Sequence, residues 1–183
     1  MRQTIAALMQ DHPGALNRAV SLFRRRGFNI HSIAVGPSET PGIARMTLVV
    51  DAEHVEQVVK QLNRLIDVIK VCDLTDQRTL ERETALIKVH APPDTRADIV
   101  ALCTIFHARI LDAGSRSLVI ELTETPATLD RFTDLVRPFG LKEMARTGQI
   151  AMVCPAHREP AAPLMPVGMS APAVELEPNP FAV

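Results

Sequence analysis

The chain has 183 residues, enough for one domain or two small ones, and 46% of them are hydrophobic. With 20 Lys and Arg against 21 Asp and Glu, the formal net charge is −1, so no general field attracts a nucleic-acid backbone. The absence of Trp and Tyr disfavours the stacking platforms of single-strand nucleic-acid binders. We therefore expect no nucleic-acid partner.

The apolar runs are too short for a membrane-spanning helix, which needs roughly 20 residues, and the N-terminal residues have no signal-peptide pattern. Three cysteines, Cys72, Cys103 and Cys154, are odd in number and far apart, as expected for reduced thiols. These features predict a soluble cytoplasmic α+β protein with no membrane partner.

The first part of the chain follows the order βαββαβ. A stripe of apolar residues at helical spacing predicts a helix that ends in three arginines followed by Gly27. A second amphipathic helix is predicted from Val55 to Ile66. Alternating or continuous apolar runs between turn residues predict strands at 3–10, 28–36, 43–51 and 68–74.

The same order restarts at residue 84. A strand from Thr84 to His90 precedes a helix with Ile99, Leu102 and Phe106 on its inner face. A hairpin follows over 109–113 and 117–123. Thr125-Pro126 is a typical helix start, and a last strand is predicted within 141–153.

Together these patterns predict two tandem ferredoxin-like βαββαβ units, at residues 1–75 and 84–153, joined by a polar linker at 76–83. Both helices of such a unit pack on one face of its sheet. Because the other face needs cover, we expect an oligomer. Half of the 14 prolines lie in the last segment, 154–183, which is predicted to be a disordered Pro-rich tail.

The motifs that carry common chemistry are absent from the sequence. It contains no Walker loop, GxGxxG, CxxC, HExxH or GxSxG pattern, and its six histidines are scattered. We therefore predict no catalytic residues and no metal site. A binding or regulatory protein is favoured over an enzyme.

The segment from Asp11 to Leu16 (DHPGAL) separates the first strand from the first helix. A helix N-terminus offers unpaired N–H groups and a partial positive charge, so it suits a ligand carboxylate. Gly14 has no Cβ and would let a ligand approach the backbone closely. The same residues also fit an ordinary capped turn.

The DHPGAL segment and its continuation LFRRRGFNIHSIAVGPSETPGIARMTLVV resemble the ACT domain of the small, regulatory subunit of acetolactate synthase. The resemblance continues through LERETALIKV, IFHARILDAGSRSLVIELT and RTGQIAM in the second unit. It implies an ACT domain at 1–75, a C-terminal ferredoxin-like domain at 84–153 and a homodimer. Members of this family are not catalysts; they activate a large catalytic subunit that carries thiamine diphosphate, Mg²⁺ and FAD, and confer feedback inhibition by branched-chain amino acids, commonly valine. No cofactor is expected in this chain.

The resemblance also implies where an effector binds. The amino acid would lie between two protomers, against the loop of one and the second strand of the other. The matching loop positions are Asp11, Gly14, Ala15 and Leu16, and the matching strand positions are Asn29, Ile30 and Gly36. Position 11 is more often Asn in the family, and position 36 is often Ala.

Two other hypotheses remain open from the sequence. One is a stand-alone ACT-domain amino-acid sensor, such as a transcriptional regulator. The other is an enzyme that uses Asp11, His12 and His31, which turnover by the purified chain alone would reveal.

Overall fold

A computed structural model describes residues 2–51 and 55–155, which form two sheets and four helices and confirm the predicted α+β class. In chain order the elements are β1 (Arg2–Gln10), α1 (Ala15–Arg26), β2 (Asn29–Pro37), β3 (Ile43–Asp51), α2 (Val55–Leu62), β4 (Val68–Asp73), β5 (Thr79–His90), α3 (Arg96–Ile105), β6 (Arg109–Ala113), β7 (Ser117–Glu124), α4 (Pro126–Val136), a 3₁₀ turn (Arg137–Phe139), β8 (Leu141–Arg146) and β9 (Ile150–Val153).

The first sheet has the strand order β2-β3-β1-β4 with every neighbouring pair antiparallel, the order of a ferredoxin-like unit. Alternate residues of β1, namely Ile5, Ala7 and Met9, point into a core shared with the two helices, which contribute Phe23 and Leu62. This alternation is what a strand with one face against helices requires.

The second sheet repeats the design, in the order β6-β7-β5-β8. Ala85, Ile87 and Val89 of β5 are completely buried against a core that includes Ile99 of α3 and Phe132 of α4. Helix α4 begins as predicted, because the Thr125 side chain accepts a hydrogen bond from the Thr128 N–H and Pro126 occupies the first turn.

Two boundaries in the second unit were predicted wrongly. Strand β5 begins at Thr79 rather than Thr84, so residues 79–83 of the predicted linker are strand. One last strand was predicted within 141–153, but this range holds two, β8 and β9, and β9 pairs with the first part of β5. The strand was missed because three of the four residues of LERE (80–83) are charged, which does not resemble a strand pattern. Backbone hydrogen bonds to β9 nevertheless hold this segment as a strand.

The two units share a small apolar cluster. Ala6 and Leu8 of β1 point away from the helices and pack with Leu74 and Ala151, the latter from β9. The face of the first sheet that the sequence left open is thus partly covered by the same chain. The oligomer that was expected to cover it remains a prediction.

The predicted tail lies outside the described residues, except for Cys154 and Pro155. Within the described part of the chain, no helix is long and apolar enough to cross a membrane. Helix α2 ends at Leu62, so Ile66, which was predicted to face inward, is 89% exposed.

Candidate functional site

The loop between β1 and α1 has the geometry that Gly14 makes possible. Gly14 adopts a φ of +91° immediately before the helix, a conformation that residues with a Cβ rarely adopt. The Asp11 N–H donates to the Gly42 carbonyl at 2.9 Å, which ties the loop to the β2–β3 turn. Ala15 is buried, whereas Asp11 and Leu16 are exposed to solvent. The loop therefore presents the first turn of α1 on the surface.

A buried carboxylate beneath the loop holds it in place. Asp67 accepts hydrogen bonds from Nε and Nη2 of Arg18, the latter at 2.8 Å, and its Oδ1 lies 3.1 Å from Nε2 of His12. The hydrogen bonds from Arg18 are the main reason that the pKa of Asp67 lies below its ordinary value, with a smaller contribution from His12; desolvation opposes them. Sequence analysis missed this cluster because Asp67 is 49 residues from Arg18, and no local pattern connects them.

The predicted effector residues of the strand, Asn29, Ile30 and Gly36, lie along β2, an edge strand of the first sheet. The Asn29 side-chain amide donates to Oδ2 of Asp51 at 3.1 Å, and Ile30 packs partly buried against the first core. Gly36 lies opposite Arg45 of β3, and a Cβ at Gly36 would meet no atom within 4 Å. The space beside β2 that a side chain at position 36 would occupy is therefore empty of protein atoms from the described part of the chain.

The structure places the predicted site residues at two ends of the sheet. Strands β1 and β2 run parallel to each other, because both are antiparallel to β3. The loop at the end of β1 therefore lies at the same end as Gly36. Asn29 and Ile30 lie at the opposite end, about 23 Å from Gly36 at roughly 3.3 Å per residue. One amino acid cannot contact both ends of a single copy.

A groove of about 560 Å³ runs along the wall formed by 33–37 of β2. Its other wall comes from Leu80, Ile150 and Met152 of the second unit, all more than half exposed. Gly36 lines this groove. The second unit therefore lies directly beside the strand that carries half of the predicted site.

Comparison with known proteins identifies the family. A model of the acetolactate synthase small subunit matches residues 82–154, and a model of the small-subunit-like ACT domain matches residues 5–70. A probable acetolactate synthase small subunit from Archaeoglobus fulgidus is 51% identical over 155 residues, covering 84% of this chain and 97% of that protein. The chain belongs to the acetolactate synthase small-subunit family.

Other relatives of the small subunit agree. The acetolactate synthase small subunit of Bacillus subtilis is 42% identical over 154 residues, covering 82% of this chain and 90% of that protein. The crystal structure of the small subunit from Thermotoga maritima superposes with a TM-score of 0.78 at 36% identity, covering 84% of this chain and 98% of that chain. This chain is thus a regulatory subunit of acetolactate synthase, not the catalytic one, and its family implies a catalytic partner subunit.

These findings settle the two alternatives. Asp11 and His12 lie at the end of β1, whereas His31 lies near the start of β2, at the other end of the sheet. The three side chains of the enzyme hypothesis therefore do not converge within one copy of the chain, and the family assignment is to a regulatory subunit. The small-subunit model matches the second unit as well, which distinguishes the chain from a stand-alone ACT sensor. No group of three potential metal ligands occurs among residues 2–51 and 55–155.

Proposed function

We propose that this chain activates the catalytic subunit of acetolactate synthase and makes it sensitive to a branched-chain amino acid, with valine as the first candidate. The catalytic subunit would carry the thiamine diphosphate, Mg²⁺ and FAD. The family assignment supports the regulatory role. The observation that supports the effector site is the left-handed Gly14 at the start of α1, followed by the buried Ala15 and the exposed Leu16.

The separation of the two half-sites supports a homodimer. β2 is an edge strand, so a second copy can lie beside it with its own β2 antiparallel. A two-fold axis at that edge brings the Asn29 end of one copy next to the Gly14 end of the other. Each effector would then contact the loop of one protomer and the strand of its partner.

The chemistry of the two half-sites suits an amino acid with a small apolar side chain. The effector carboxylate would bind the N–H groups of the first turn of α1 from Leu16 onward, since the Ala15 N–H already donates to the His12 carbonyl at 3.3 Å. The amide of Asn29 could contact the polar end of the ligand, and Ile30 and the exposed part of Leu16 could contact its apolar side chain. Charge-assisted hydrogen bonds of about 1.5–3 kcal/mol each, less the ordering costs, correspond to a Kd between roughly 10 μM and 1 mM.

The test replaces Gly14 with Asp and, as a matched control, with Asn. Both side chains tolerate the left-handed backbone better than other residues do and have nearly the same shape, but only Asp is charged. At about 5 Å and an effective dielectric constant of 20, two negative charges repel by about 3 kcal/mol, or roughly 100-fold in affinity. Arg18, whose Nη1 lies 3.5 Å from the position of the new Cβ, offsets part of this repulsion, so we expect a loss of at least about 10-fold. Valine binding is measured by calorimetry, and inhibition is measured with the catalytic subunit.

We expect Gly14→Asp to lose valine binding and inhibition, and Gly14→Asn to lose much less. Equal valine responses in the wild type and Gly14→Asp would disprove the carboxylate site. Equal losses in both variants would show that shape rather than charge matters, and would also contradict it. If the chain does not change the activity of the catalytic subunit, the regulatory proposal is wrong.

A further inference from the structure

Residues 147–151 of the second unit contact β2 and β3 of the first sheet. The N–H of Gln149 donates to Oγ of Ser32 at 2.8 Å, and Nη2 of Arg45 donates to the Ala151 carbonyl at 3.0 Å. Gly148 lies so close to β2 that a Cβ would be only 2.6 Å from the Ile33 carbonyl oxygen. Side chains of two neighbouring strands and the backbone of one of them thus hold this short segment.

A β-bulge in β2 creates this contact. The register between β2 and β3 shifts between Ile30 and Ser32, so His31 is an extra residue. Side chains alternate between the faces of a strand, and the extra residue reverses the phase. As a result both Ile30 and Ile33 pack against the helix-covered core, and Ser32 points to the other face, where Gln149 meets it.

The segment is also tied to the body of the second unit. Arg146, which precedes it, donates to both carboxylate oxygens of Glu83 in β5, at 3.0 and 2.5 Å. Its Nη1 donates to Asp130 of α4 at 2.5 Å. Arg146 thus attaches the segment to the central strand and to a helix of the second unit.

We propose that residues 146–151, the coupling segment, transmit the effector-bound state of β2 to the second unit. The inference rests on the proposed function, because it requires an effector that binds beside β2. Such coupling requires two arrangements of the coupling segment against β2. The effector must favour one of them, and the second unit must differ between the two. Packing against a backbone carbonyl without an intervening side chain makes the Gly148–Ile33 contact sensitive to small shifts of β2.

The experiment separates binding from response. Gly148→Ala places a methyl group against the Ile33 carbonyl and should push the coupling segment away from β2. Ser32→Ala removes the acceptor of the Gln149 N–H without adding an atom. Gly140→Ala is the control, because both glycines have a positive φ, +84° at Gly148 and +101° at Gly140, but a Cβ at Gly140 would lie nearest to His90, within its own unit. The Kd of valine is measured with the isolated full chain, and maximal inhibition is measured with the assembled holoenzyme.

We expect Gly148→Ala to bind valine with a Kd within threefold of the wild type while maximal inhibition falls by at least half. Ser32→Ala should show a smaller loss of inhibition with unchanged affinity, and Gly140→Ala should be inhibited as the wild type is. If Gly148→Ala does not fold, Ser32→Ala decides the question.

Full inhibition of both Ser32→Ala and Gly148→Ala would overturn the coupling role. A Kd that weakens in parallel with inhibition would also overturn it, because the segment would then belong to the binding site. A wild-type chain that neither binds nor responds to valine, leucine or isoleucine would instead overturn the proposed function, and the coupling role with it.

Discussion

Arg146 is the residue whose loss should most weaken the attachment of the coupling segment. Its side chain is 26% exposed, and it pairs with Glu83, whose side chain is only 7% exposed. The hydrogen bonds that Arg146 donates to Glu83 are the main reason that the pKa of Arg146 is raised above its ordinary value. Replacing Arg146 with Met keeps most of the side-chain volume but leaves the Glu83 carboxylate buried without its cation.

The cost of Arg146→Met follows from that burial. Removing one partner of a buried ion pair costs roughly 3–5 kcal/mol, and the exposed quarter of Arg146 lets water reduce the penalty, so we expect about 2–3 kcal/mol. For a chain of this size, that lowers the Tm by about 5–10 °C. In the double variant Glu83→Gln/Arg146→Met no charge is buried, so at least half of the lost stability should return.

Urea unfolding followed by circular dichroism measures these free energies, since the chain has no Trp or Tyr to report by fluorescence. Glu83→Gln alone completes the double-mutant cycle. A loss below about 0.5 kcal/mol for Arg146→Met would show that the pair contributes no more than an exposed one. A double variant no more stable than Arg146→Met would show that lost packing, rather than the unpaired carboxylate, causes the effect.

Two further predictions concern titratable groups. The pKa of Asp67 is lowered in the folded state, so its contribution to stability is complete above the unfolded pKa and is lost as the pH falls below the ordinary value of 3.8. Asp67→Asn should therefore flatten the decline in the free energy of unfolding between about pH 5 and 3. An unchanged slope would contradict this prediction. Burial raises the pKa of the Cys103 thiol, which lowers its thiolate fraction at any given pH. In a Cys72→Ser/Cys154→Ser chain, where Cys103 is the remaining thiol, the reaction with a thiol reagent should be about 100-fold slower in the folded protein than in urea.

Much of the fold follows from local patterns in the sequence. Alternating apolar residues in β1 and β5, and the Thr125-Pro126 helix start, act through contacts within a few residues, so periodicity and capping rules predict them. The failures come from contacts between distant residues. Strand β5 extends into the charged residues 79–83 because β9, some 70 positions later, pairs with it.

The candidate site divides in the same way. Gly14 could be singled out because a glycine in a turn before an amphipathic helix leaves the backbone accessible, and the structure adds its left-handed conformation. Asp67 could not, since its role comes from the tertiary contact with Arg18. The bulge at His31 was also missed, because an extra residue in a strand has no compositional mark when neither Gly nor Pro provides it.

The position of the bulge also explains why the second unit contacts β2 where it does. β2 is an edge strand of the first sheet, with one face against the helices and one face toward the coupling segment. If the same sequence paired with β3 in continuous register, without the bulge at His31, Ile33 would point away from the core and Ser32 into it, at the cost of burying a hydroxyl among apolar side chains. The same insertion that preserves the first core therefore directs Ser32 to Gln149. A strand that contacts the core, the proposed partner copy and the second unit at once cannot change its position for one of them without changing its contacts with the others.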